Sequence, residues 1–255
     1  PGRRGALGRA MPWRRMYRRR RGGFLCLAHE GLEDWVGDAI ATSTNPRLEG
    51  VVRRNWWGFA GRRSADASLH ARAGDLLVQA CRRQASSLSF GTVLVTDAGP
   101  VLSARHVLHT AVPSHPAGRD SRPMPQAQAD EFTDAATAET MLHQSYASVL
   151  AAAAGVGAQS LCCPAIGCGY RGYPLDVAAR IGLEALAQDD AVPYVEVRFW
   201  ERRALAAWEH ACQELDLQPC GEEEAMQQLW EGGSLADWQE KRWRRPAADP
   251  GCTIA

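Results

Sequence analysis

Lysine is almost absent from this chain of 255 residues: Lys241 is the only one, and arginine carries nearly all of the positive charge. This bias is typical of the base composition of a coding sequence, so the number of arginines is not taken as evidence of function. The formal net charge at pH 7 is zero, whereas nucleic-acid-binding domains are strongly basic. The chain also lacks any apolar run near the ~20 residues of a membrane-spanning helix, and we expect no membrane contact.

The eight cysteines lack the spacing of a metal site. No Cys-x-x-Cys pair occurs, and histidines and cysteines are not clustered at the distances in sequence that zinc ligands show. Cys162 and Cys163 lie in a segment that is typical of a buried strand. We therefore predict reduced thiols and an intracellular protein, cytoplasmic or nuclear, that holds no metal and no cofactor.

Residues 1–28 carry nine arginines and no acidic residue. Two interpretations stay open for this stretch: an organellar import segment or a disordered basic arm. Nucleic-acid binding by such an arm has little support, because the only interleaved aromatic residues are Trp13 and Tyr17. The domain prediction is an arginine-rich segment over 1–23, the main domain over 24–215 and a helical C-terminal extension over 216–255.

Short apolar segments alternate with helical patterns along the main domain. Strands are predicted at 24–27, 38–42, 92–95, 106–110 and 160–163, and a strand with one solvated face at 195–199. Helices are predicted at 68–82, 135–154, 175–188, 203–215 and 222–231. This order predicts an α/β fold, a three-layer α/β/α sandwich around a central mixed, largely parallel sheet, followed by a short helical C-terminal extension. Ligands of such sheets bind beyond the carboxyl ends of the strands.

The most informative segment is the loop that follows the strand at 160–163. Residues 162–174 read Cys-Cys-Pro-Ala-Ile-Gly-Cys-Gly-Tyr-Arg-Gly-Tyr-Pro, a strand that runs through three glycines into a helix. Such a junction presents backbone N–H groups and the positive end of a helix, which suits a phosphate. The signal is moderate alone, and it is strengthened by a companion segment at 37–46.

Four segments, in order, resemble the signatures of the macrodomain family over roughly residues 24–212. Asp-Ala-Ile-Ala-Thr-Ser-Thr-Asn at 38–45 is similar to the family's Asp-Ala-Ile-Val-Asn-Ala-Ala-Asn. Residues 65–74 are similar to Val-Asp-Gly-Ala-Ile-His-Arg-Ala-Ala-Gly, and 106–110 to Tyr-Val-Ile-His-Thr. Residues 167–174 are similar to the loop Ser-Thr-Gly-Val-Phe-Gly-Tyr-Pro. The resemblance implies a domain that binds ADP-ribose or an ADP-ribosylated protein.

The resemblance also implies roles for individual residues. Asn45 would bind a hydroxyl of the distal ribose, and Asp66 would activate water near the anomeric carbon, so these two are the candidate catalytic residues. The other candidate ligand-binding residues comprise the start of the first signature and the glycine loop, whose amides would cradle the diphosphate: Asp38, Ala39, Ile40, Gly167, Cys168, Gly169, Tyr170, Arg171 and Gly172.

Three departures from the family pattern bear on these roles. The aspartate follows Asn45 by 21 positions, beyond an insertion that contains Trp56 and Trp57, which would either cover the site or displace Asp66. Arg171 stands where the family has an aromatic residue, and it would pair with phosphate instead of stacking on ribose. Gly31 stands where the family has an aspartate that contacts adenine.

Simpler interpretations stay open for the same residues. Asn45 precedes Pro46 and fits a turn, Asp66 fits a helix cap, and His70 fits a packed histidine. Cys168 fits a small space-filling residue better than a nucleophile, since no general base is evident. Two functions follow: hydrolysis of ADP-ribosyl linkages, on mono-ADP-ribosylated protein or O-acetyl-ADP-ribose, or non-catalytic binding of ADP-ribose or ADP-ribosylated proteins.

Overall fold

The structure is a computed structural model that describes residues 13–48, 64–118, 133–188 and 190–229. Three predicted parts lie outside the described residues: the insertion with Trp56 and Trp57, the first twelve positions of the arginine-rich segment, and the tryptophan-containing end of the C-terminal extension. Over the described ranges, no helix combines the length and the apolar character needed to cross a membrane.

The described residues form eight strands and six α-helices. The strands are β1 Arg14–Arg18, β2 Phe24–Ala28, β3 Gly37–Ser43, β4 Val93–Asp97, β5 Ala104–Thr110, β6 Ser160–Pro164, β7 Tyr194–Arg198 and β8 Pro219–Cys220. The helices are α1 Ala65–Ala73, α2 Asp75–Gln84, α3 Ala135–Gly155, α4 Leu175–Ala187, α5 Arg202–Glu214 and α6 Glu222–Leu229.

The strands form one mixed sheet in the order β4-β5-β3-β6-β7-β2-β1-β8. The five central strands, β5, β3, β6, β7 and β2, are parallel, and the outer strands β4, β1 and β8 run antiparallel to their neighbours. The carboxyl ends of the five parallel strands therefore meet at one edge of the sheet. This arrangement confirms the predicted α/β/α sandwich with a largely parallel sheet.

Helices cover both faces of the sheet. One face packs against α3, α4 and α5, where Trp208 and Tyr146 are fully buried. The other face packs against α1, α2 and α6, around Trp35 and Ile40. Alternate residues of β3 enter opposite layers, as the two-residue period of a strand requires.

Part of the predicted arginine-rich arm belongs to the sheet, which corrects the assignment of residues 1–23. Arg14–Arg18 form β1, and this strand pairs with β2 on one side and β8 on the other. Met16 and Tyr17 are 5% and 6% exposed and point into opposite apolar layers. The two apolar residues at the centre of the segment thus stabilise a strand among the arginines.

The helix predicted over 68–82 is two helices. The structure ends α1 at Ala73 and begins α2 at Asp75, because Gly74 adopts a φ of 61° between them. A left-handed φ is open to glycine and interrupts the hydrogen-bond ladder of a helix.

Strand β7 is buried on both faces, so the prediction of one solvated face is wrong. Glu196 is 0% exposed and Arg198 is 4% exposed. The Arg198 Nε atom lies 2.6 Å from a Glu196 oxygen, the Tyr194 hydroxyl donates to the other oxygen at 2.6 Å, and Arg14 lies 3.4 Å away. These charges are buried because they are paired and hydrogen-bonded. Sequence alternation alone did not distinguish such a buried network from a solvated face.

Candidate functional site

Three loops meet at the carboxyl edge of the parallel sheet. They are the lip after β3 (residues 44–48), the segment after β5 (residues 111–118) and the glycine loop after β6 (residues 165–173). Helix α1 begins beside the lip and contributes its first turn. This edge is where parallel sheets bind ligands, and it gathers most of the predicted site residues.

Asp66 lies in the first turn of α1 and is 1% exposed. Its Oδ1 atom accepts a hydrogen bond from the Thr42 hydroxyl at 3.1 Å, and the Thr44 hydroxyl lies 3.5 Å from Oδ2. The Nε2 atom of His70 lies 3.5 Å from Oδ1. A buried carboxylate with three polar neighbours has a fixed orientation.

The structure distinguishes this carboxylate from a helix cap. The cap of α1 is Ser64, whose hydroxyl oxygen accepts a hydrogen bond from the amide of Ala67 at 3.0 Å. Asp66 follows the cap by two residues and turns toward the end of β3. The simpler interpretation of Asp66 as the cap is therefore wrong.

A second buried histidine extends this polar layer. His109, on β5 beside Thr42, is 1% exposed, and its Nε2 atom lies 2.9 Å from the Thr96 hydroxyl. Burial lowers the pKa of His109 to about 4, although the nearby Asp66 carboxylate acts in the opposite direction. His109 is thus neutral at neutral pH.

The glycine loop is a tight turn closed by its own backbone. The amide of Cys168 donates to the Ala165 carbonyl, that of Gly172 to Gly169, and that of Tyr173 to Gly167, each at 3.3 Å. A Cβ atom placed on Gly169 would meet nothing within 4 Å. The loop is therefore open at Gly169, and no side chain of the described residues fills this point.

Helix α3 and the segment after β5 fix the two ends of the glycine loop. At the start, the Tyr146 hydroxyl accepts a hydrogen bond from the Ile166 amide at 2.8 Å. At the end, the His115 amide donates to the Arg171 carbonyl at 2.8 Å. A Cβ atom on Gly172 would lie 2.6 Å from the Cα atom of Gly118, so the two backbones touch only because both residues are glycine.

Asn45 forms a turn at the start of the lip. Its side-chain Oδ1 atom accepts a hydrogen bond from the Arg47 amide at 3.0 Å, and its carbonyl accepts from the Leu48 amide at 3.0 Å. The turn places Asn45 next to Thr44, whose hydroxyl faces Asp66. Asn45 and Asp66 are thus brought to the same edge, and the ribose contact of Asn45 stays a prediction.

Arg171 connects the glycine loop to the lip. Its Nη2 atom donates to the Thr44 carbonyl at 3.3 Å, and the residue is partly buried. Tyr170, by contrast, is 41% exposed. Arg171 therefore crosses from the predicted phosphate cradle to the residues around Asp66.

Asp38 lies at the opposite end of β3, which corrects its assignment to the ligand site. Its Oδ2 atom accepts hydrogen bonds from the amides of Gln159 and Ser160 and from the Ser160 hydroxyl, at 3.0, 3.2 and 3.1 Å. Asn45 lies seven positions further along the chain, roughly 20 Å away at about 3.3 Å per residue. Asp38 joins β3 to β6 at the amino edge.

Ala39 and Ile40, also predicted to bind ligand, lie inside β3. They are 0% and 2% exposed and belong to the two apolar layers on opposite faces of the sheet. The structure does not bring them to the carboxyl edge with Asn45. The signature match identified the strand, but the edge at which each residue lies depends on the direction of that strand.

Cys168 does not have the environment of a nucleophile. Burial raises the pKa of its thiol to about 12, and the thiol lies beside the indole of Trp208. A protonated thiol at neutral pH is a weak nucleophile. Across the described residues, no group of three histidine, cysteine or acidic side chains is arranged to hold a metal ion.

Gly31, which stands in place of the family's adenine-contacting aspartate, lies after β2 at the same edge. Its carbonyl accepts a hydrogen bond from Nη1 of Arg198 at 2.5 Å. The neighbouring Glu30 carboxylate pairs with Arg14 at 2.7 Å and with Arg198 at 3.0 Å. Glu30 is thereby part of the charge network of β7.

Sequence reasoning missed the residues that position the predicted ones. Thr42 and Thr44 were not among the predicted site residues, yet their i, i+2 spacing at the end of a strand indicates one face. His70 was interpreted as a packed histidine, although its i, i+4 spacing from Asp66 places both on one side of a helix. No local pattern indicated that Tyr146 or Gly118 would contact the glycine loop.

Comparison with known proteins supports the resemblance. A protein-family model described as "Macro domain" matches residues 43–182, which is 140 of the 255 residues. A macro domain-containing protein of Vibrio parahaemolyticus is 29% identical over 180 residues, covering 68% of this chain and 88% of its own length. An O-acetyl-ADP-ribose deacetylase of Cronobacter sakazakii is 29% identical over 153 residues, covering 59% of this chain and 69% of its own length.

Solved structures agree at the level of the fold. The Oceanobacillus iheyensis macrodomain with ADP superposes with a TM-score of 0.64 at 20% identity, covering 81% of this chain and 98% of that one. The Trypanosoma brucei macrodomain in complex with ADP-ribose superposes with a TM-score of 0.55 at 24% identity, covering 73% of this chain and 68% of that one. With a family model matched over more than half of its length, this chain belongs to the macro domain family.

Proposed function

We propose that this chain binds ADP-ribose across the carboxyl edge of its sheet and hydrolyses an ADP-ribosyl ester there. The observation that carries the proposal is the buried Asp66 carboxylate, which Thr42, Thr44 and His70 orient beside the glycine loop. The relative from Cronobacter sakazakii is named an O-acetyl-ADP-ribose deacetylase, which is consistent with this chemistry. The substrate is either O-acetyl-ADP-ribose or a mono-ADP-ribosylated protein.

The glycine loop and Asn45 supply binding in this proposal. The open space at Gly169 admits a phosphate oxygen to the backbone, and the helix α4 that begins after the loop directs its positive end toward this edge. An amide side chain such as that of Asn45 can both donate to and accept from a ribose diol, and Oδ1, which accepts from the Arg47 amide, has a second lone pair. A nucleotide sugar bound in this way has its sugar between the glycine loop and Asp66.

Asp66 supplies the acid–base chemistry. Where the ester oxygen is on the anomeric carbon, the oxygen of a water molecule bonds to that carbon, the bond from it to the ester oxygen breaks, and the carboxylate of the substrate leaves. Where an acetyl group is on another ribose hydroxyl, the water oxygen bonds to the acetyl carbonyl carbon, the bond from that carbon to the ribose oxygen breaks, and the ribose oxygen takes up a proton. Asp66 accepts a proton from the water, and its negative charge stabilises the positive charge that develops on the sugar. His70 and the two threonines position the carboxylate without touching the substrate.

The binding half of the proposal is tested by calorimetry with ADP-ribose on wild type and Gly169→Glu. A carboxylate at this point would occupy the phosphate position and repel it, and we expect affinity to fall at least about 100-fold. Gly155→Glu is the matched control, because a Cβ atom there also meets nothing within 4 Å and its φ is ordinary. Unchanged affinity of Gly169→Glu would remove the loop from the site.

The catalytic half is tested by release of ADP-ribose from an ADP-ribosylated protein and of acetate from O-acetyl-ADP-ribose. Asp66→Asn should bind ADP-ribose as wild type does and turn over at least about tenfold more slowly. Asp75→Asn is the matched control, since Asp75 lies in the first turn of α2 but is exposed. Equal rates for wild type and Asp66→Asn would disprove the role of this carboxylate.

One observation favours non-catalytic binding as a second candidate. Asp66 is 1% exposed, and its Oδ1 atom already has two polar neighbours, an environment that also fits a purely structural carboxylate. The same assays separate the two candidates. Micromolar affinity for ADP-ribose with no turnover of either substrate by wild type would make the chain a binding module for ADP-ribose or ADP-ribosylated proteins.

A further inference from the structure

Arg171 differs from every other residue of the glycine loop in carrying a charge, and its side chain extends toward the residues around Asp66. Residues 165–173 read Ala-Ile-Gly-Cys-Gly-Tyr-Arg-Gly-Tyr, so Arg171 is the single charged side chain of this loop. We propose that Arg171 is a phosphate-binding residue whose guanidinium pairs with the second phosphate of a nucleoside diphosphate or nucleotide sugar. This inference rests on the proposed function, because it names the group that recognises the diphosphate at the same site.

Two contacts fix the path of Arg171. Its carbonyl accepts a hydrogen bond from the His115 amide at 2.8 Å, which secures the backbone from the side of the segment after β5. Its Nη2 atom donates to the Thr44 carbonyl at 3.3 Å, which secures the side chain on the opposite side, at the lip. The guanidinium is thereby placed between the loop that would bind phosphate and the residues that contact Asp66.

The hydrogen bonds of the loop explain why a charge is needed. The amides of Cys168 and Gly172 donate inside the turn, so these two amides do not face a ligand. A diphosphate carries at least two negative charges, and charge-assisted hydrogen bonds are about twice as strong as neutral ones. A guanidinium at the end of the loop supplies this charge and two parallel donors.

The hydrogen bond from Arg171 to Thr44 also indicates which of the two phosphates the guanidinium would contact. Thr44 lies beside Asp66, with its hydroxyl 3.5 Å from Oδ2, and Asp66 marks the sugar end of the proposed ligand. A guanidinium at Thr44 therefore lies nearer the sugar than the adenosine, at the phosphate that carries the sugar. At 3.3 Å, the Thr44 bond is long for an N–H···O bond.

The experiment compares AMP, ADP and ADP-ribose by calorimetry on wild type, Arg171→Gln and Arg171→Lys. Glutamine keeps a donor for the Thr44 carbonyl but removes the charge, whereas lysine keeps the charge but loses the planar fork. We expect Arg171→Gln to lower the affinity for ADP and ADP-ribose about 10- to 100-fold and the affinity for AMP less than about threefold. The affinity of Arg171→Lys should fall between those of wild type and Arg171→Gln. Arg180 is an exposed arginine of α4, and the control variant Arg180→Gln should bind as wild type does.

Salt provides a readout that a purely structural role would not move. Raising ionic strength from about 0.05 to 0.5 M should weaken ADP binding to wild type more than to Arg171→Gln, because the exposed part of the ion pair is screened. Affinity for ADP-ribose that stays within threefold of wild type in Arg171→Gln overturns the inference. Equal losses for AMP and ADP, or an unchanged salt dependence, overturn it as well.

The outcome for wild type keeps this inference distinct from the proposed function. A wild-type chain that binds none of the three nucleotides disproves the proposed function, and the role of Arg171 fails with it. A wild-type chain that binds ADP-ribose, together with an Arg171→Gln variant that binds equally well, disproves the role of Arg171 alone. Thermal unfolding of each variant establishes that the fold is unchanged.

Discussion

His70 and Asp66 lie one helical turn apart on α1, with His70 Nε2 3.5 Å from Asp66 Oδ1 and both side chains almost fully buried. The Thr42 hydroxyl donates to the same oxygen at 3.1 Å. The imidazole and the hydroxyl thus fix one oxygen of the carboxylate, so that the rotation of Asp66 about its side-chain bonds is restricted. Fixed orientation is what a general base needs for efficient proton transfer.

Replacing His70 should therefore slow turnover more than it weakens binding. For His70→Gln we expect kcat on O-acetyl-ADP-ribose to fall about tenfold, with KM within threefold of wild type, since Asp66 is misoriented while the glycine loop is unchanged. His210→Gln is the matched control, because His210 forms an i, i+4 pair with Glu214 at 3.4 Å on the exposed face of α5. A His70→Gln variant with wild-type kcat and reduced thermal stability would make His70 a packing residue.

The contact between Gly118 and Gly172 makes a second prediction, about the shape of the glycine loop. Alanine at 172 would put its Cβ atom 2.6 Å from Gly118 Cα at a φ of 72°, and alanine at 118 would put its own 2.7 Å from Gly172 Cα. We expect each variant to lose about 1–3 kcal/mol of stability and to bind ADP-ribose more weakly. Gly169→Ala, with open space, should leave the unfolding temperature unchanged, and equal unfolding temperatures for all three would contradict the contact.

The parts of the fold that sequence predicted depend on local patterns. The strands at 24–28, 37–43 and 160–164 are short apolar runs, and the glycine loop is marked by three glycines before Pro174. Each of these signals is contained in a few consecutive residues. The predicted helices at 135–154 and 175–188 were confirmed for the same reason.

The parts that sequence did not predict depend on pairings between distant segments. Arg14 lies in a strand because β2 and β8 flank β1. Glu196 is buried because Arg14, which is distant in sequence, forms an ion pair with it alongside Arg198 of the same strand. Asp38 was placed in the site because a signature gives identity and order, but not the edge of the sheet at which a residue lies. These partners are identified only when the strand order is known.

The buried pair of Glu196 and Arg198 makes a third prediction, about stability. Burial alone would raise the pKa of Glu196, but Arg198 and Arg14 outweigh it, and the pKa lies below the usual 4.5. Glu196→Gln removes one of two carboxylates and leaves Arg14 and Arg198 with Glu30 as their shared carboxylate. One positive charge of this largely buried network then lacks a counter-charge, which should cost about 3–5 kcal/mol of unfolding free energy. Urea unfolding at pH 7 measures this loss.

The control and the pH dependence sharpen this third prediction. Glu209→Gln breaks a partly exposed pair with Arg15 at 3.1 Å and should cost at most about 1 kcal/mol. Because the pKa of Glu196 is lowered in the folded chain, its stabilisation is full above the ordinary pKa and is lost as the pH falls through the folded value. A Glu196→Gln variant within about 1 kcal/mol of wild type at pH 7 would show that the network contributes little.

The last prediction concerns the acid side of the stability curve. Burial lowers the pKa of His109 to about 4 from an ordinary 6.5, so the unfolded chain binds the additional proton between these two values. The stabilisation due to neutral His109 is therefore complete above pH 6.5 and declines as the pH falls to about 4, by about 3 kcal/mol in all. Asparagine does not titrate in this range, so the wild-type advantage over His109→Asn should shrink by that amount between pH 6.5 and 4. A constant difference between wild type and His109→Asn over this pH range would mean that His109 titrates alike in the folded and unfolded chain.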